Sequence, residues 1–342
     1  MGRDEVVREL DPDWTEGTES PERIREEVSQ ALRQDPPRIP SRFFYDERGA
    51  RLFEEITALE EYYLTDAEVE ILRTRTQEVA DTVGVGARIV EYGSGSGEKT
   101  WILLDGLHRP AAYIPIDVAR AQLVEHSAQV RERFPKLQVI PIAGDYTRLT
   151  QLPRAAGSSG AALAFFPGST VGNLEPGAAV SFLATVAQQT GVGAYLLIGV
   201  DLAKDPTVLE RAYNDAKGVT AQFNLNILSH LNRRIGSNFQ VDGFRHRAIW
   251  NEERSRIEMH LVSLKHQTIQ LGPVGTGVEP LVLTPDESVV TEHSYKYEVA
   301  DFQDLAREAG YIPVSHWTDS RDFFSVHLLE VDSSNLNGRD GG

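Results

Sequence analysis

Cysteine is absent from this 342-residue sequence. No disulfide, thiolate nucleophile, iron–sulfur cluster or cysteine zinc site can therefore form, and a cytoplasmic setting is expected. Long apolar runs are missing as well. None reaches the roughly 18 residues that a membrane span requires, and the N-terminus is too acidic and polar for a signal peptide. Positive charge is scarce: 34 basic residues stand against 51 acidic ones, a formal net charge of −17. A surface of that sign repels phosphate backbones, and the sequence shows no local basic patch. Neither nucleic acid nor a membrane is expected as a partner; a small-molecule substrate is. Metal patterns are lacking too, since no H-E-x-x-H occurs and His260 and His266 read as structural or surface residues. What is present is a 41% hydrophobic fraction. That supports a substantial core, in a length suited to one domain carrying a large insertion.

Along the chain, residues 1–35 are polar and charged, with helical periodicity only at "ERIREEVSQALRQ". "DPPRIP" breaks the chain, and Leu52, Phe53, Ile56 and Leu59 then recur at helical spacing, followed by Val69 and Leu72 in a second helix. Thr65 and Glu68 have the three-residue spacing of a capping box for that second helix. From Arg88 strands and helices alternate. Strands are expected at "RIVEY", "AAYIPID", "LQVIPIA", "AALAFFP" and "AYLLIGVD", with helices at "EKTWILLDGL", "ARAQLVEHSAQVRERF" and "GAAVSFLATVAQQT". This α/β order predicts a parallel sheet with helices on both faces, and ligands in such sheets bind beyond the carboxyl ends of the strands. The alternation stops after Asp201. Helices are expected over 206–235, then antiparallel strands in "FRHRAIWNEERSRIEMHLVSLKHQTIQL" with a polar turn at "NEERS". The helix "VADFQDLAREAG" and the strands "YIPVSHWTD" and "FFSVHLLEV" return to the sheet, and "DSSNLNGRDGG" is expected to be disordered.

The chemistry gathers at the strand ends. "EYGSGSGEKT" nearly matches two nucleotide loops, the dinucleotide fingerprint G-x-G-x-x-G and the phosphate loop G-x-x-x-x-G-K-[ST], but Glu98 stands where both need glycine. What remains is E-x-G-x-G-x-G, with Glu91, Gly93, Gly95 and Gly97. The glycines let a ligand approach the backbone closely, and the negative charges of Glu91 and Glu98 suit a cationic, phosphate-free ligand such as S-adenosylmethionine better than a pyrophosphate. A purely structural glycine turn is the plain alternative. The second strand ends in Asp117, which can accept from both ribose hydroxyls. The third ends near Asp145 and Tyr146, able to bind an adenine amino group and pack on its ring. Each acid alone could be a helix cap; three successive strand ends of this kind favour a bound adenosine. The fourth leads into "PGSTVGN", where Gly168 and Gly172 open a turn and Asn173 offers donor and acceptor groups.

"SRFFYDERGARLFEEITALEEYYLTDAEVEIL", "EYGSGSGEKT", "PGSTVGN", "RAYNDAKGVTAQFN", "RIEMHL" and "TEHSYKY" together resemble the histidine-specific Nα-methyltransferases of ergothioneine biosynthesis, in the same order over about residues 40–330. The resemblance implies a Rossmann-like class I methyltransferase sheet plus a second, α+β substrate-binding domain. Its division of the chain is a polar extension over 1–35, a substrate-binding domain over 36–66 and 206–295, a cofactor-binding domain over 67–205 and 296–331, and a disordered tail over 332–342. It implies trimethylation of the α-amine of L-histidine to hercynine, with S-adenosylmethionine leaving as S-adenosylhomocysteine, no metal, and a monomer. Gly93, Lys99, Asp117, Asp145 and Tyr146 match cofactor positions. Tyr62, Gly168, Asn173 and Tyr213 match positions around the backbone end of the amino acid, Met259, Glu292 and Ser294 those around its imidazole, and Tyr45 lies near the amine. Tyr45, Asn173 and Tyr213 are thus the expected catalytic residues. Leu64 after "EYY", where the family often has proline, and Pro167 before the glycine turn depart from the pattern. Three other readings stay open: the same chemistry on another amine such as tryptophan, a non-catalytic adenosine- or amino-acid-binding regulator, and an NAD-dependent oxidoreductase, which Glu98 disfavours.

Overall fold

The computed structural model of the chain describes residues 8–9, 20–94, 97–148, 151–153, 160–273 and 278–336. In chain order, β1 (Arg8–Glu9) is followed by helices α1 (Pro21–Leu32), α2 (Glu47–Thr57) and α3 (Leu64–Val83). The alternating part runs β2 (Arg88–Tyr92), α4 (Glu98–Gly106), β3 (Ala112–Asp117), α5 (Arg120–Arg133), β4 (Gln138–Val139), β5 (Ile142–Ala143), β6 (Ala162–Phe166), α6 (Pro176–Thr190) and β7 (Tyr195–Asp201). Then come α7 (Pro206–Tyr213), α8 (Val219–Ile235), β8 (Phe244–Asn251), β9 (Arg256–Ser263), β10 (Gln267–Ile269), β11 (Leu281–Leu283) and β12 (Ser288–Tyr295). The chain ends in α9 (Val299–Glu308), β13 (Tyr311–Thr318), β14 (Phe324–Val331) and α10 (Ser333–Leu336). Among the described residues, 8–9, 64–203 and 297–336 form one compact unit, unit 1, and 20–63 with 204–296 form another, unit 2.

Unit 1 is built on a sheet in the order β1-β5-β3-β2-β6-β7-β14-β13, with β4 beside β3. The pairs from β1 to β7 are parallel, and β14 runs antiparallel to both of its neighbours. β6 is buried along its whole length, as is β3 up to its last residue. That burial is why these strands read as apolar runs rather than as alternating ones. From β2 the chain moves outward through β3 to β5, then returns to place β6 on the other side of β2. This reversal sets a topological switch point between β2 and β6, the place where open α/β sheets take their ligands. One expected strand, "LQVIPIA", resolves into two: β4 pairs the start of β3 and β5 pairs its end. Pro141 between them has no N–H for the ladder.

In unit 2, Ser20 caps α1 by accepting from Arg23 N at 3.3 Å, and Ile24, Val28 and Leu32 form its buried stripe. The second half of the polar extension therefore belongs to a packed unit. Asp46 caps α2 through Gly49 N at 2.8 Å. β12-β9-β8 form an antiparallel sheet, its "NEERS" turn falling between β8 and β9 as the sequence predicts. α8 buries Phe223, Ile227 and Leu231. The expected helical stretch over 206–235 is interrupted at Asn214–Gly218, because the Asp215 carboxylate accepts from Val219 N and Thr220 N and so starts a new helix.

Two further expectations are corrected. α3 begins at Leu64, so Thr65 lies inside its first turn and Glu68 serves no capping box. The Glu68 side chain is buried and turned toward α4 and the end of β6. The expected disordered tail begins with the helical turn α10, where Asp332 accepts from Ser334 N and Oγ, both at 2.8 Å. The remainder of the tail, residues 337–342, lies outside the described residues, as do residues 1–7 and 10–19 of the extension.

Candidate active site

Seven expected site residues lie on unit 1, at the carboxyl edge of its parallel strands. Gly93 follows β2 with φ of 81°, a left-handed conformation that glycine adopts without strain. Among the described residues, a side chain added there would meet only Tyr146 Cε1, at 4.0 Å, an ordinary van der Waals contact. Gly95 lies outside the described residues. Asp117 ends β3, accepts from Ala119 N at 2.9 Å and lies 3.5 Å from Ser94 Oγ. Asp145 follows β5 and accepts from Thr147 N and Oγ1 at 2.9 and 2.6 Å. The Tyr146 ring packs against both Phe166 and Phe182, with centroids 5.7 and 5.5 Å away. Gly168, φ 80°, follows β6, and Asn173 ends the short helical turn Thr170–Asn173 after it. Gly168 and Asn173 are therefore on the same unit and the same sheet edge as the cofactor candidates.

Lys99, in the first turn of α4, is held by a residue that the sequence reading placed elsewhere. Its Nζ lies 2.5 Å from Glu68 Oε2, and the same oxygen accepts from Gly168 N at 2.8 Å. One buried carboxylate thus ties α3, α4 and the β6 turn. No sequence signal pointed to this, since the two ends of the Glu68–Gly168 bond are 100 residues apart.

The charge argument for the glycine turn also changes. Glu91 is buried beneath it, accepting from Thr100 Oγ1 at 2.8 and 2.9 Å and from the Tyr113 hydroxyl. Burial pushes its carboxyl up to about 8, so it is largely neutral at pH 7. Glu98 is half-exposed and paired with Arg73 at 3.1 Å. Neither offers a bare anion to a ligand.

The remaining six expected residues lie in unit 2. Tyr45 follows the helical turn Ser41–Phe44 and packs edge-on against Phe53 and Phe223, at 5.8 and 5.9 Å. Phe53 meets Tyr62 at 6.3 Å, and Tyr62 meets Tyr213 at 6.3 Å. The Tyr213 hydroxyl reaches Ser294 Oγ at 2.9 Å. Four aromatic rings spread over 168 residues of sequence thus connect Tyr45 to the β12 strand. On that strand Glu292 and Ser294 share a face, as alternate residues must. Glu292 stands directly opposite buried Met259 on β9, beside a bulge at Val290/Glu292 that re-aims the strand. Burial raises the Glu292 carboxyl to about 7, and the charge of Lys296 pulls in the opposite direction.

Lys296 is a functional candidate that the sequence reading missed. Its side chain is buried, and Nζ donates to Ser294 Oγ at 2.8 Å and to the Tyr213 hydroxyl at 3.0 Å. The alternation that selected Glu292 and Ser294 continues to it, and that was the available signal.

A family model described as histidine-specific methyltransferase, SAM-dependent, matches residues 24–331. The chain belongs to this methyltransferase family. It is 38% identical over 309 residues to a histidine N-alpha-methyltransferase of Mycobacterium tuberculosis, across 89% of this chain and 94% of that protein. A protein of the same name from Mycolicibacterium smegmatis is 37% identical over 311 residues, with 90% and 94% covered. Ergothioneine biosynthesis protein 1 of Neurospora crassa is 31% identical over 315 residues, which is 90% of this chain but 35% of that longer protein. Among the described residues of this methyltransferase, no group of three or more His, Cys, Asp or Glu could hold a metal ion. No helix among them is long and apolar enough to cross a membrane.

Proposed function

We propose that this methyltransferase methylates the α-amine of L-histidine three times, giving hercynine as a step of ergothioneine biosynthesis. The observation that carries the reading is the face of β12, where Glu292 stands opposite Met259 and Ser294 follows two residues along, opposite Ile257. An imidazole needs one group to accept its N–H and another to satisfy its second nitrogen. A carboxyl and a hydroxyl two residues apart on one strand supply both. An indole or phenyl ring would leave one or both of them unpaired, which costs more in a buried site than lost contact area does. The names of the relatives support the same substrate.

In this reading the groups for the cofactor are on unit 1 and those for the imidazole are on unit 2. The glycine turn at Gly93 fits a ligand that approaches backbone closely, and the strand ends carry the acids an adenosine requires. Asp117 would hold the ribose, Asp145 and Tyr146 the adenine, and Lys99 the amino-acid carboxylate of the cofactor. Bound S-adenosylmethionine supplies an electrophilic methyl, whose bond to sulfur breaks as its bond to nitrogen forms. The protein's task is then mainly alignment. Asn173 and Tyr213 would orient the carboxylate and amine of histidine, Tyr62 would pack beside them, and Tyr45 would border the nitrogen. An ammonium has no lone pair, so one proton must leave before each transfer, three in all. Desolvation favours the neutral amine, and Tyr45 or water would pass its proton outward.

The reading takes the enzyme as a cytoplasmic monomer that needs no metal. Activity surviving exhaustive chelation, and a light-scattering mass of one chain, are the expected outcomes. The decisive experiment is incubation with S-adenosylmethionine and each proteinogenic amino acid, followed by mass spectrometry. Trimethylated histidine is expected. Turnover of another amino acid in its place would overturn the substrate, and binding of both ligands without product would overturn the reaction.

A further inference from the structure

β12 changes its pairing by one residue just before Glu292. Val290 stands opposite His260 and Glu292 opposite Met259, so Thr291 is an extra residue in the ladder with β9. Directly opposed residues share a face of the sheet. Without the extra residue Thr291 would stand opposite Met259, and Glu292 would fall opposite Glu258 on the other face. The aim of Glu292 therefore depends on the bulge. Asn224 of α8, fully buried, bridges the two strands at this point. Its Nδ2 donates to His260 O at 3.1 Å, and Thr291 Oγ1 donates to its Oδ1 at 2.7 Å. Backbone carbonyls, which only accept, fix the direction of each bond. His260 O sets which end of the amide is the nitrogen. The carbonyl of Tyr213 accepts from His246 Nε2 at 2.8 Å, so in the neutral ring Nδ1 holds the lone pair and accepts from Asn224 Nδ2, also at 2.8 Å. Burial favours that neutral ring, against the opposing pull of the Tyr213 carbonyl and Asp215. Both hydrogens and the oxygen of the amide are thus committed, and a flipped amide would set its oxygen against His260 O.

We propose that Asn224 is a positioning residue, which clamps the Thr291 bulge and so keeps Glu292 on the face it shares with Met259. This rests on the reading of Glu292 as the acceptor for the imidazole N–H. The same amide links Thr291, through His246, to the backbone of Tyr213. The groups assigned to the two ends of the amino acid are thereby held in one register. Loosening the clamp weakens capture of the ring more than it slows methyl transfer.

The test compares, in the full-length enzyme, Thr291→Val, which removes the hydroxyl at nearly constant volume, with Thr291→Ser, which keeps it. In the Val variant KM for L-histidine at saturating S-adenosylmethionine is expected to rise roughly tenfold, the effect of one lost buried hydrogen bond, with kcat within about threefold of wild type. The Ser variant should stay within about twofold in both, since its hydroxyl can still donate to Asn224. In a Glu292→Ala background the Val substitution should cost less than about threefold in kcat/KM, because the group that the bulge aims is gone. Asn224→Ala should reproduce the Val phenotype, and adding Thr291→Val to it should cost less than about threefold more by the same coupling. Amide hydrogen exchange along β12 reads the clamp with no substrate present, and it should quicken roughly tenfold in the Val variant. Circular dichroism reports folding; should Asn224→Ala not fold, the Val and Ser pair carries the test. An unchanged KM, equal losses in the Val and Ser variants, or a full Val penalty without Glu292 overturns the inference, since a merely structural residue gives additive losses. A wild-type enzyme that leaves histidine unmethylated overturns the function instead, and unchanged exchange along β12 then still overturns the clamp.

Discussion

Unit 1 sets a partly exposed lysine on a buried carboxylate, whereas unit 2 buries one beside two hydroxyls. Lys99 is 2.5 Å from Glu68, so the two charges cancel locally and the pair fixes three pieces of backbone. Lys296 donates to Ser294 and Tyr213, which strengthens and directs their hydrogen bonds. The first arrangement sets the shape of a sheet edge; the second joins Tyr213 to the strand that carries Glu292. Unit 1 displays its candidate groups at strand ends, where the topology of any open α/β sheet delivers them. Unit 2 assembles its groups from Tyr45, Tyr62, Tyr213, Met259 and β12, through ring contacts and cross-strand pairing. Damage to the cofactor groups of unit 1 should therefore appear in cofactor affinity and stability, and damage to the imidazole groups of unit 2 in histidine recognition.

The largest effect is expected from Glu292→Ala. It removes the acceptor for the imidazole N–H, leaving a buried donor of the substrate unpaired. kcat/KM for histidine should fall roughly a thousand- to ten-thousand-fold, while the dissociation constant of S-adenosylhomocysteine stays within about twofold of wild type by the division just drawn. Calorimetry and initial rates read the two quantities separately. Equal losses in both would erase the contrast between the units.

Glu68→Gln makes the opposite cut. The amide oxygen can still accept from Gly168 N, but Lys99 loses its counter-charge. Removing one partner of a buried pair costs about 3 kcal/mol here, the low end of the usual range because Lys99 is 19% exposed. Chemical denaturation should show that loss, and S-adenosylhomocysteine affinity should drop on the order of tenfold as Lys99 loosens. KM for histidine at saturating cofactor should hold. A change confined to the histidine KM would place Lys99 on the wrong side of the comparison.

The two units were not equally legible in the sequence. The alternation from β2 to β7 is visible because each strand is an apolar run and each helix a 3.6-residue stripe. Those local signals fix where the strand ends fall, so Gly93, Asp117, Asp145 and Gly168 can be placed from order alone. Glu68 could not. Its partners are distant in sequence, and its spacing from Thr65 satisfied a local rule that the true start of α3 at Leu64 annuls. The charge of Glu91 was misjudged for a related reason. Sequence displays a carboxyl but not its desolvation, and Thr100 and Tyr113 enclose this one. In unit 2 the resemblance supplied the residues, while strand alternation alone left Glu292 and Ser294 open to a plain reading. Lys296 lay on the same alternation and went unread, because a lysine in a strand is by habit assigned to solvent.

The smallest effect tests the buried carboxyls against each other. Glu91 and Glu292 both have raised values, about 8 and about 7, from an ordinary 4.5. A carboxyl whose folded value is raised binds its proton more tightly in the native state. Stability is then full below the unfolded value, declines as pH rises toward the folded value, and levels off above it. Between pH 7 and 8 Glu91 carries most of the decline, while Glu292, already half ionised at pH 7, completes its titration in the folded protein. Glu91 should cost the wild type about 1 kcal/mol across that single unit, below the limiting slope of about 1.4 kcal/mol per unit. Glu91→Gln, which mimics the protonated carboxyl and retains acceptors for Thr100 or Tyr113, should keep only the smaller decline that Glu292 contributes, about 0.3 kcal/mol. Denaturant midpoints of both proteins at pH 7 and 8 measure the difference, and matching declines would show that Glu91 is ionised in the folded protein at pH 7. Unit 1 would then hold a bare anion beneath its glycine turn after all, in contrast to the neutral group that Thr100 and Tyr113 are arranged to protect.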